Sequence, residues 1–134
     1  MDALESGSER AEHFFQRWRR FRSFVGGATK HHVTLDELPD LARLEIFKRN
    51  EELLDASEDL YLVVARLRLL GAADAANFLL EAYDDVFVFR DPVILESQLP
   101  SKESREDARM KVQSQINRFH EAMSRHYLAI NKEQ

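Results

Sequence analysis

"LYLVVARLRLLGAADAANFLLEAYDDVFVFRDP", residues 60–92, decides the fold. Its apolar residues do not alternate. Ala76, Leu79, Tyr83 and Val86 recur at helical spacing, with Ala75, Phe78 and Ala82 on the neighbouring face. An arc that wide predicts a helix buried on two sides. Gly71 interrupts the run, and glycine adopts the left-handed conformation that ends a helix at little cost. Residues 60–92 therefore read as one helix, a tight corner and a second helix, running from Ala73 to Phe89. Asp91-Pro92 is expected to stop that second helix, because the residue before proline avoids the helical region. "VFVF", residues 86–89, has strand propensity, but no second segment offers a pairing partner, so it reads as helix.

Upstream, Thr34 and Glu37 have capping-box spacing, and Pro39 is tolerated only near a helix start. The next break is Gly71, which predicts one long helix over 38–70, with a kink near Asn50. Downstream, Ser101 after Pro100 is a plausible N-cap for a helix that turns heptad-like from Val112, through Ile116, Phe119, Met123, His126 and Ile130. Near the N-terminus, Ser6 and Glu9 also have capping-box spacing, and Phe14, Trp18, Phe21 and Val25 lie on one face. Gly26-Gly27 should end that helix.

These four segments, joined by short connections, predict an all-α fold: a four-helix, up-and-down antiparallel bundle with a long second and fourth helix. The 134 residues read as a single domain, with 1–8 disordered, 9–25 the first helix, whose docking is left open, and 35–131 the bundle core. Leu60, Val64, Leu67, Leu79, Tyr83, Phe119 and Met123 are expected to be nearly fully buried. Only four Gly and three Pro suit long helices, and the charged fraction of 32% suits a soluble, heavily solvated exterior.

The absence of cysteine excludes disulfides, thiolate metal sites and thiol nucleophiles, and fits a cytoplasmic setting. "MDALESGSERAEH" lacks the basic and apolar regions of a secretory signal. No Gly-rich phosphate loop, nucleophile elbow or His-Glu-x-x-His occurs, so the chain is read as not an enzyme and as needing no cofactor. His31-His32 sit in a connector, His126 on the heptad seam and His120 on an outer face. Without the Glu-x-x-His pairs of bundle metal sites, none is assigned a metal. Glu51, Asp55 and Glu58 form an acidic row, read as a solvated face that a basic partner could cover.

One stretch stands apart. "HFFQRWRRFRSFVGG", residues 13–27, carries four Arg and five large aromatics and no acid, in a chain of formal net charge −5. Phe14, Arg17, Trp18, Arg20, Phe21 and Phe24 are the candidate partner-binding residues, since Trp, Phe and Arg dominate interface hot spots. A single groove on a small bundle should not cover so wide an aromatic arc. The expectation is therefore an adaptor, inhibitor or regulatory subunit acting through a protein partner or as a homodimer. A membrane-surface helix is the alternative, and it requires the first helix to be undocked. A metal-binding or catalytic bundle is the third reading, and no small-molecule substrate is identified. Nucleic acid is disfavoured: residues 33–134 hold 13 basic and 20 acidic residues, net −7, which repels phosphates.

Overall fold

The computed structural model describes residues 3–133, with side chains over 6–130. It contains five α-helices: α1 (Ala3–Ala28), α2 (Asp40–Ser57), α3 (Leu60–Leu69), α4 (Ala73–Leu95) and α5 (Lys102–Glu133). The fold is the expected all-α bundle. α2 and α3 together make the long second stave, and α5 is the long fourth one. No strand forms among the described residues. One isolated bridge, Thr34 to Gln98, ties the two long connectors together. Leu35 and Leu99 donate backbone hydrogen bonds to Ser97 and Val33 across it, and Leu35, Leu38 and Leu99 plug that end of the core.

Contacting pairs run in opposite senses between α1 and α2–α3, between α3 and α4 and between α1 and α5, which is compatible with an up-and-down arrangement. Arg17 meets Glu52 and Arg10 meets Asp59 between α1 and α2–α3. Tyr61 packs on Tyr83, and Arg68 bonds Asn77, between α3 and α4. Arg118 lies over Phe78 between α5 and α4. Phe15 packs on Phe119, and Arg105 bonds the Gly26 carbonyl, between α1 and α5.

The corner at Gly71 forms as read. Its φ is +83°, the only positive φ at a glycine among the described residues, and the amides of Leu70, Gly71 and Ala72 donate to Arg66, Arg68 and Leu67. Ser101 caps α5, its Oγ accepting from the Ser104 amide at 3.1 Å.

Five boundaries differ from expectation, each for a tertiary reason. Of the stretch 1–8 expected to be disordered, residues 1–2 lie outside the described residues and 3–8 form the first turns of α1, where Gly7 is buried and a Cβ would meet Val63 and Leu67. Ser6 is thus inside the helix and does not cap it. α1 does not end at Gly26-Gly27 but continues to Ala28. There the Gly26 carbonyl accepts from Thr29 Oγ1 at 2.8 Å and from Arg105, which suits a helical end without a left-handed residue. The second stave starts at Asp40, after a 3₁₀ turn at Leu35–Glu37, and it breaks at Glu58-Asp59, not near Asn50. Asn50 stays helical because its side chain is buried and accepts from Arg90 Nε at 2.8 Å. Finally, α4 passes through Pro92. The carbonyl that loses its donor belongs to Val88, whose side chain is exposed, while Val93 is fully buried and pulls the last turn onto the core. The Pro92 carbonyl then closes the helix, accepting from the amides of Glu96 and Gln98.

Six of the seven expected core residues, Leu60, Val64, Leu67, Leu79, Phe119 and Met123, are buried; Tyr83 is half-buried at the rim.

Candidate functional site

The six candidate residues of α1 divide. Trp18 is 2% exposed, and Phe14 and Phe21 are fully buried in the chain's own core, as is Phe15 beside them. Phe14 stacks near Tyr83, Phe15 meets Phe119 edge-on, and Trp18 and Phe21 both meet Phe89 edge-on, Trp18 at 5.2 Å between centroids. The expectation that one groove could not cover this arc is corrected. α1 touches α2–α3 on one side and α5 on the other and points its central aromatics at α4, so three neighbours share the arc. Arg17 pairs with Glu52, which Arg49 also holds, and the Arg49 guanidinium lies 4.8 Å over the Phe24 ring. Phe24 is 40% exposed, and Arg20 is exposed on the outer side of α1.

The acidic row Glu51, Asp55, Glu58 is exposed on the outer face of α2, as read. The apolar seam that helical spacing assigns to the second helix, Leu41, Leu44 and Phe47, is corrected: these residues are exposed, and the face of α2 that is buried carries Ile46, Asn50, Leu53 and Ser57. Leu41, Leu44 and Phe47 precede the acidic row on the exposed side of α2, and Tyr61, Leu62 and Leu69 follow it on α3. Leu41 is 80% exposed and Leu69 87%. The signal was present in "LYLVVARLRLL": a run that apolar exceeds what a single helix face can bury.

Among the described residues no group of three or more His, Asp or Glu is placed to hold a metal. His31 is exposed and His32 half-buried in the connector. His120 contacts Glu12 across α1 and α5. His126 is half-buried beside Gly71, with its Nε2 unpaired. No helix among the described residues is long and apolar enough to cross a membrane.

A cleft of about 450 Å³ lies between the end of α4 and the start of α5, floored by Phe89, Val93 and Leu99. Its charged groups are Asp85, Asp107 and Lys111, the last two ion-paired at 3.3 Å. Burial pushes the Asp85 carboxyl above the usual carboxylate range; Lys111 opposes this and the neighbouring Glu81 and Asp84 add to it. Burial likewise raises Tyr83, and Tyr61, Asp84 and Asp91 reinforce it. These groups do not converge into a nucleophile with its base.

Between α1 and α5, Arg22 lies near Arg109 and Glu106 of the facing helix and near Arg19 on its own. Burial, and next to it Arg109, lowers the Arg22 pKa, with Glu106 opposing. The hydrogen bond from Arg109 holds Glu106 below the usual carboxylate range.

No known protein family, curated protein or solved structure matches this chain.

Proposed function

We propose that this chain is a non-enzymatic interaction bundle, an adaptor, inhibitor or regulatory subunit, whose partner seats on the outer face of α2–α3. The carrying observation is the composition of that face. Large apolar side chains stand exposed at both ends, Leu41, Leu44 and Phe47 on α2 and Leu62 and Leu69 on α3, with Glu51, Asp55 and Glu58 between them. Leu44 and Leu62 lie roughly 27 Å apart along the stave, a span suited to an amphipathic helix. Exposed apolar residues grouped on one element favour a contact surface over a solvated one.

The chemistry of the middle selects the partner. A second copy laid symmetrically on this face would bring three carboxylates against three carboxylates, and like charges facing one another suppress pairing. The face therefore suits a partner with apolar anchors at its ends and a basic centre, in preference to a homodimer. The homodimer expected through α1 loses its basis, since Phe14, Trp18 and Phe21 are core. The membrane alternative loses its basis too, because it needed those aromatics undocked.

A synthetic helical peptide with leucine ends and an arginine centre tests this, titrated into the full chain and followed by backbone amide shifts. Shifts confined to α2 and α3, weakened by salt and lost in Leu44→Glu/Leu62→Glu, support the reading. No shifts, or equal shifts with a peptide whose centre is acidic, overturn it.

A further inference from the structure

The aromatics of residues 13–27 are explained by the core, but their arginines are not. Arg17 has Glu52. Arg19 and Arg22 lie on the α1–α5 side, where Arg22 meets another arginine, Arg109. Helical spacing fixes this: Glu12, Phe15, Arg19, Arg22 and Gly26 form one row on α1. Glu12 and Phe15 contact His120 and Phe119 of α5, and Gly26 contacts Arg105. Arg19 and Arg22 fall between these two anchor points, with Arg22 opposite the turn that carries Arg109, one turn along from Arg105 at the Gly26 anchor.

Two features hold the cluster close, one of the backbone and one of a side chain. Gly26 lets α5 approach, since a Cβ there would lie 3.3 Å from Arg105 Nη1. Trp18 gives Arg22 a platform, with the guanidinium carbon 6.0 Å from the ring centroid. The seam holds more positive charge than it neutralises. Glu106 is the acid within it and is engaged by Arg109 at 3.0 Å. The Nε atoms of Arg22 and Arg105 are buried without a hydrogen-bond partner, one on each side of the seam. Arg109 is itself exposed, but leaving the buried Nε donors of Arg22 and Arg105 unpaired is unfavourable unless an anion joins them. Burial, and next to it the neighbouring Arg109, lowers the Arg22 pKa.

We propose that the α1–α5 seam binds a phosphate group, with Arg22 and Arg109 as its principal ligands and Arg19 and Arg105 at its edges. Guanidiniums match phosphate because their paired N–H groups meet two oxygens at once, and pairs of this kind are stronger than neutral hydrogen bonds. Trp18 beneath Arg22 keeps the fork oriented and partly dry. Glu106 moves off Arg109 or stays as its second partner, and it sets a preference for a ligand charged enough to compete with it. Both a free phosphorylated molecule and a lipid headgroup carry this group.

The test uses the full chain with inorganic phosphate, inorganic pyrophosphate and phosphatidylcholine vesicles with or without phosphatidic acid. Binding is followed by arginine side-chain NMR shifts and by the thermal midpoint, against sodium chloride at matched ionic strength. The expected result is pyrophosphate binding with shifts at Arg19, Arg22, Arg105 and Arg109. Arg22→Gln and Arg109→Gln should each weaken it about tenfold or more, the loss of a charged hydrogen bond, while Arg20→Gln on the outer face should not. Binding by the free anions assigns the site to a soluble phosphorylated ligand; binding only to acidic vesicles assigns it to a headgroup. The proposal is overturned if neither binds, or if binding survives Arg22→Gln/Arg109→Gln with the thermal midpoint of the unliganded variant unchanged. Should that double variant melt early, the single Arg109→Lys replaces it. Lysine keeps the charge but not the fork, so unchanged affinity there also refutes the arginine-phosphate pairing.

Discussion

Trp18 is the residue on which the opening puzzle turns. Buried among Phe14, Phe21 and Phe89, it is part of the core and unavailable to a partner. Trp18→Ala should destabilise by about 3–5 kcal/mol, from lost transfer free energy plus a cavity its edge-packed neighbours cannot fill. Chemical denaturation measures this, and a loss below about 0.5 kcal/mol would place the indole at the surface. Asp85 offers a prediction with a sign. Its folded pKa is raised, so the folded state holds this proton more tightly than the unfolded chain. The stability it contributes is present below the ordinary carboxylate range and is lost as pH rises through the raised value. Asp85→Asn should therefore raise the thermal midpoint at neutral pH and leave it unchanged in acid. Screening at this partly exposed site limits the gain to no more than about 1 kcal/mol. An equal gain at both pH values would show that packing, not charge, is responsible.

Among elements, the second stave is the informative one. The sequence places its kink at Asn50, a polar residue in an apolar seam. In the fold that residue is a cross-link, its carbonyl oxygen accepting from Arg90 Nε, while Arg90 also pairs with Asp91 at 2.9 Å. Asn50→Ala should cost about 1–3 kcal/mol, since a buried guanidinium donor is left unpaired. Double-mutant analysis with Arg90→Met checks the assignment: the cost should shrink when both partners are gone. The break falls instead at Glu58-Asp59, where the Glu58 amide bonds the Asp55 carbonyl and Asp59 leaves the helical region at φ −93°, ψ 0°. α4 shows the converse. Proline usually ends a helix, but with Val88 exposed and Val93 buried the helix continues through Pro92 and closes on its carbonyl.

For the whole molecule, α1 is the centrepiece of the bundle, not an appendage. It contacts α2, α3 and α5 and sets its aromatics against α4. A chain lacking residues 1–28 should therefore lose cooperative thermal unfolding, because Phe89, Phe119, Leu53 and Val63 lose their cover. Calorimetry decides it, and a retained sharp transition would mean that 35–131 folds alone. With α1 spent on the core, the partner surface we propose is the outer face of α2–α3.

What the sequence by itself determined is what depends on neighbours a few residues away: the helical class, the Gly71 corner, the Ser101 cap and the buried seam Val112, Ile116, Phe119, Met123. Periodicity and caps are local physics, and at these positions no distant segment altered them, whereas the expected cap at Ser6 and stop at Gly26-Gly27 were overridden. Tertiary structure alone decided what an apolar or basic residue faces. Phe14 and Phe15 look in two directions along one helix, and only the presence of helices on both sides makes both of them core. Leu62 and Leu69 have the same periodic credentials as Val63 and Leu67, yet remain outside because no stave packs on their side. Arg22 and Arg109 are 87 residues apart in the sequence and meet only because α1 and α5 run antiparallel through Phe15, Phe119 and the close approach at Gly26. Which faces meet is a property of packing geometry between remote segments, and a one-dimensional pattern does not carry it.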